Sequence, residues 1–105
     1  MRYPAHAQSL PQLRQGMTYS AARTMLIESG WQAVFNSQLL NTPSASGAVN
    51  YFFKEKQYTE IVDCAGTGMG LCLFEFQNAA GKKLFVITAN NEPDRESEVF
   101  DWRLE

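Results

Sequence analysis

The chain has 105 residues, 45% of them apolar and 19% charged, and a net charge of −2. That length suits one domain of about 100–150 residues and excludes a two-lobed enzyme with a cleft between domains. The near-neutral charge excludes the basic footprint of a nucleic-acid binder, and no apolar run reaches the roughly 18 residues of a membrane-spanning helix.

From the N-terminus, residues 1–12 read as a flexible segment and 13–105 as a single α+β domain. Ala5-His6-Ala7 has the small-x-small form of a signal-peptidase site, although no apolar stretch precedes it. The alternative is a chance match in a floppy, proline-containing tail. His6, the one histidine, lies in this segment.

Helix signals begin at Gly16. Thr18 is a good N-cap, and Ala22, Met25, Leu26 and Ser29 share a face that Tyr19 extends. Gly30 is placed to end the helix in the left-handed conformation, with Trp31 folding back onto it. Gln32–Phe35 reads as extended and 36–46 as a loop, long enough to suggest a functional role. Its Leu39-Leu40 pair either tucks into the core or is presented to a partner. A second helix is expected over about Ala48–Tyr58, capped by Ser46 or Gly47. A strand over Asn50–Phe53 competes with it, because aromatic residues suit strands.

The second half reads as β. Thr59–Cys64 leads into a glycine-rich loop. In Leu71–Gln77, Cys72, Phe74 and Phe76 point one way and Leu73, Glu75 and Gln77 the other. Asn78–Gly81 is a hairpin loop, Lys82–Ala89 the return strand and 90–95 a polar turn. In Glu98–Leu104 the alternation puts Phe100, Trp102 and Leu104 on one face and leaves the other in water. Helices first and strands second predict two N-terminal helices on one face of an antiparallel three- to four-stranded meander.

Cys64 and Cys72 bracket three glycines, so the chain can turn back sharply between them. Such a loop can bring the two Cα atoms within disulfide range. A disulfide would favour an oxidising compartment; two unlinked buried thiols are the alternative.

Gly16-Met17-Thr18-Tyr19-x-x-Ala22-Arg23 opens the first helix, Gly30-Trp31 closes it, and a meander follows. This combination resembles the small bacterial envelope domains of the beta-lactamase inhibitory protein type. It also resembles the related small lipoproteins of the outer-membrane assembly machinery. The likeness covers about residues 13–104 in element order and about 16–31 in residues. It implies a periplasmic or secreted protein-binding scaffold rather than an enzyme. A lipid-acceptor cysteine is not among the first residues here, so membrane anchoring is not implied.

The chemistry-bearing inventory is thin. Gly66-Thr67-Gly68-Met69-Gly70 lacks the Lys-Ser/Thr of a phosphate loop, and a strand rather than a helix follows it. Glu60, Asp63 and Glu75 have no spacing that selects a catalytic pair and read as ordinary surface acids. A single histidine supports neither a serine or cysteine nucleophile nor a metal centre. No cofactor is expected. Residues 59–105 hold four basic and nine acidic side chains, which reads as a solvated strand face or, more sharply, as a patch for a basic partner.

The aromatic residues Trp31, Tyr51, Phe52, Phe53, Phe74, Phe76, Phe100 and Trp102 are expected mostly in the core. The sequence therefore points to a non-catalytic module that binds a protein partner, not nucleic acid. The expected contacts are Leu39 and Leu40 in the loop and Glu75, Lys83, Asp101 and Arg103 on the exposed sheet face. A small-ligand or lipid pocket between helices and sheet is the rival reading.

Overall fold

In a computed structural model of the chain, residues 10–65, 70–89 and 96–105 are described. The Ala5–Ala7 triplet, most of the glycine loop and the 90–95 turn lie outside them.

Helix α1 (Tyr19–Glu28) forms where its caps place it. The Thr18 hydroxyl accepts from the Ala21 N–H, and Tyr19, Ala22 and Leu26 are buried. At the other end Gly30 takes a φ of 97°. The Trp31 N–H then reaches the Leu26 carbonyl at 2.9 Å, and Gly30 reaches Ile27 at 3.1 Å. This pair of bonds satisfies the last carbonyls and drives Trp31 into the core, where it is 2% exposed.

Five antiparallel strands form one sheet: β1 (Gln32–Ala33), β2 (Ile61–Cys64), β3 (Cys72–Gln77), β4 (Lys83–Ala89) and β5 (Glu98–Leu104). The meander β3-β4-β5 is as expected. The three- to four-strand expectation is corrected, because β1 and β2 both pair with the remaining edge of β3. Ala33 lies opposite Phe76 near one end, and Cys64 opposite Cys72 at the other. Glu75 joins the two ends: its N–H donates to the Glu60 carbonyl, and its carbonyl accepts from Val34.

The helical expectation is also corrected. A four-residue helix α2 (Gln38–Asn41) sits inside the expected loop. The expected second helix is present but is short and changes type: α3 (Gly47–Asn50), capped by the Ser46 hydroxyl, runs into a π-helical turn over Tyr51–Glu55. That wider turn is closed by Lys56 N–H bonding the Tyr51 carbonyl, and Gln57 at φ 59° ends it. Helix prevails over strand here because a capped start and Val49 and Phe52, three apart, bury one face.

The β3–β4 hairpin turns on Asn78, whose side-chain oxygen accepts from Ala80 and Lys82. In β5 the expected alternation fails at one point. The register shifts between Ile87 and Thr88, so Val99 opposes Thr88 and Asp101 opposes Ile87. This bulge buries Val99 and leaves Phe100 38% exposed, while Trp102 still packs against the core.

The helices cover one sheet face. Phe74 stacks on Tyr19 at 4.1 Å between ring centroids and meets Phe52 edge-on at 5.6 Å. Cys64 and Cys72 are joined in a disulfide. Among the described residues no helix is long and apolar enough to cross a membrane.

Candidate functional site

The sheet face away from the helices is built by the residues that alternate outward along β3, β4 and β5. Pairing aligns them in rows. Phe85 lies between Glu75 and Arg103, and Ile87 lies between Leu73 and Asp101. Leu73, Phe85 and Ile87 are half-buried, whereas Lys83, Asp101 and Arg103 are exposed. Among the described residues nothing forms a second layer over this face.

Its charges are arranged around the apolar row. The Lys83 ammonium lies 3.7 Å from the Glu75 carboxylate. The Arg103 guanidinium sits 5.6 Å from the Phe85 ring centroid and donates to Glu105 at 2.9 Å. Asp101 accepts from the Trp102 backbone N–H at 2.8 Å. A shallow hollow of about 260 Å³ lies at one corner, lined by Leu71, Leu73, Ile87, Asp63 and the disulfide.

Four expected contact residues, Glu75, Lys83, Asp101 and Arg103, therefore share one surface. Leu39 and Leu40 do not join them, because they lie in α2 on the connection from β1 to α3. They also part from each other: Leu39 packs against the core, while Leu40 is 61% exposed. Phe85 and Ile87 at the centre of the face had no sequence signal of their own. They sit in a run apolar on both faces, and only pairing shows which side is covered.

A second polar site is interior. Glu60 was expected at the surface, and the structure corrects this: it is fully buried. Its Oε2 accepts from the Tyr19 hydroxyl and from Arg23 Nε, both at 2.6 Å, and its Oε1 accepts from Arg23 Nη2 at 3.2 Å. Burial, then the neighbouring Glu60 charge, pushes the Tyr19 hydroxyl pKa well above its ordinary value. The hydrogen bond to Glu60 raises that of Arg23. Both oxygens of the buried Glu60 side chain are thus hydrogen-bonded within the core. Tyr19 and Arg23, four apart on α1, reach it from one face of the helix. Asp63 is exposed, as expected.

Among the described residues, core side chains fill the space between helices and sheet. A cavity of about 20 Å³ beside Tyr19, Phe52 and Tyr58 is water-sized. Among the described residues no His, Cys, Asp and Glu side chains cluster in a way that would hold a metal. Comparison with protein-family models, with curated proteins and with solved structures finds no match to this chain.

Proposed function

We propose that this chain is a small extracytoplasmic module, without catalysis of its own, that binds a partner protein through the open face of its sheet. The observation that carries the reading is the row of half-buried Leu73, Phe85 and Ile87 framed by Glu75, Lys83, Asp101 and Arg103. An apolar centre with a charged rim is how protein interfaces are built. Phe85 under the Arg103 guanidinium supplies an aromatic and an arginine anchor, the residue types on which binding energy concentrates. Both signs of charge occur on the rim, which suits a folded protein surface better than a polyanion. The Cys64–Cys72 disulfide supports an oxidising compartment, and so a periplasmic or secreted protein. The resemblance to envelope scaffold domains points the same way. The filled interior favours this reading over a small-ligand or lipid pocket.

Chemical cross-linking in envelope extract, followed by mass spectrometry, tests it. Wild type is expected to capture one protein in stoichiometric amount, and a Phe85→Asp/Ile87→Asp variant that still folds is expected to lose it. Capture unchanged by that variant would overturn the reading. Loss in Leu39→Ala/Leu40→Ala with retention in the face variant would move the site to α2.

A further inference from the structure

We infer that β5 is a self-complementary edge through which two copies of this chain join, antiparallel, into one continuous sheet centred on Trp102. This inference rests on the backbone bonds of the sheet's edge rather than on the partner reading above; it shares Asp101 and Arg103 with the rim of the open face and leaves the row of Leu73, Phe85 and Ile87 uncovered.

The free part of the edge is defined by hydrogen bonds. Lys83 and Glu105 exchange both backbone bonds, so by alternation Asp101 and Arg103 also turn their backbone groups toward β4. Trp102 and Leu104 turn theirs outward. At the start of the strand the edge is occupied, because Val99 bonds Gly16 and Met17. Beyond it, the Phe100 carbonyl accepts the exposed Gln15 side chain at 2.8 Å. Among the described residues, what remains is a short open edge from Phe100 to Leu104, with Phe100 and Leu104 38% and 47% exposed.

Two copies of an antiparallel edge meet about a two-fold axis, and the side chains select where it falls. With the axis on Trp102, Asp101 of each copy lies opposite Arg103 of the other, and Leu104 lies opposite Phe100. Opposite charges face each other twice, and the exposed apolar residues cover one another. With the axis on Arg103, that residue meets its own copy and Asp101 meets Glu105, so like charges oppose throughout. With the axis on Asp101, two carboxylates meet and Arg103 is directed at Val99, whose edge is taken. An axis on Leu104 keeps an Arg103–Glu105 match but sets Leu104 against its own copy and takes it off Phe100.

The bonds also exchange in kind. In the single chain Asp101 occupies the Trp102 N–H, and Arg103 is paired with Glu105. In the pair, the Trp102 N–H donates to the Trp102 carbonyl of the other copy. That frees Asp101 for the partner's Arg103. The Leu104 N–H reaches the Phe100 carbonyl opposite and displaces Gln15.

Sedimentation equilibrium of the full, disulfide-bonded chain from roughly 10 µM to 1 mM tests the inference. Wild type is expected to dimerise within that range. Asp101→Arg alone and Arg103→Asp alone are each expected to weaken the dimer roughly tenfold or more, since attraction becomes repulsion at two places. An equimolar mixture of the two variants is expected to form a heterodimer, because one strand is then wholly basic and the other wholly acidic at these positions. The double swap Asp101→Arg/Arg103→Asp is expected to restore the homodimer. Thermal melts of each variant confirm that it is folded. A wild type that stays monomeric throughout, single variants that dimerise like wild type, or a mixture that stays monomeric would each overturn the inference. Loss in Arg103→Asp but not in Asp101→Arg would place the axis on Leu104 and overturn the Trp102 register.

Discussion

Phe74, Phe76, Leu84 and Val86 are fully buried on the helix-covered face of the sheet. Leu73, Phe85 and Ile87, taken from the same two strands in alternate positions, stay half-buried on the other face. Strand propensity does not separate the two sets, since both are aromatic and aliphatic residues that suit a pleated sheet. What separates them is the layer above. Tyr19, Phe52 and Tyr58 close over Phe74, while among the described residues Phe85 has the Arg103 guanidinium over it and no such layer. Apolar groups that fold against the chain's own helices hold the domain together. On the proposed reading, the apolar groups left without a layer are surface held for a partner.

The largest expected effect tests that division directly. Phe74→Ala opens a cavity under the aromatic cluster and is expected to cost about 3–5 kcal/mol. Phe85→Ala removes a ring of similar size from the open face and is expected to cost less than about 1 kcal/mol. Urea denaturation of both variants at neutral pH checks the contrast. Equal losses would mean that Phe85 is as structural as Phe74, and the comparison would fail.

The disulfide gives the next effect. It pins β2 to the end of β3, beside the hollow on the open face. Its loop is short, so reduction is expected to cost about 2–3 kcal/mol on the chain-entropy model. Hydrogen exchange locates the loss. Amides of Ile61–Cys64 are expected to exchange faster on reduction, while those of β4 and β5 keep their protection. Uniform acceleration would show that the edge strand and the meander open together, and that the open face has no separately mobile corner.

How far all this is legible in the sequence follows from how local each feature is. Thr18 and Gly30 bound α1 because caps act within a few residues of themselves. The β3–β4 hairpin is legible because alternation and the Asn78–Gly81 turn agree. Glu75, Lys83, Asp101 and Arg103 are legible as one face for the same reason. Gln32–Phe35 is legible as extended, but the pairing of β1 and the strand β2 are not, because two and four residues carry no period and the edge of β3 decides where they pair. The bulge at Phe100 is equally hidden, since it depends on Gly16 and Met17 binding Val99 from far away in the chain. Glu60 is hidden most completely. Nothing beside it marks it as buried, and its partners Tyr19 and Arg23 lie 41 and 37 residues away.

That buried cluster sharpens the comparison of the faces, because the covered side must neutralise its polar groups internally while the open side leaves them to water. Tyr19→Phe removes the hydroxyl bond to the Glu60 carboxylate and is expected to cost about 1.5–2 kcal/mol near neutral pH. Its pH dependence is more specific than its size. Burial and Glu60 hold the Tyr19 hydroxyl protonated well past the ordinary value of 10.0. Below that value both the folded and the unfolded chain keep the proton, so its contribution is constant. Above it the unfolded chain releases the proton and the folded chain does not. Wild type is therefore expected to lose about 1.4 kcal/mol per pH unit through this one group. The variant's phenyl ring has no proton to release, so the variant is expected to start lower and decline less. Urea midpoints at about pH 8, 10 and 11 should show the two proteins converging. Parallel decline would mean that Tyr19 ionises in the folded protein as it does in water. The covered face would then be far more open to solvent than its packing describes.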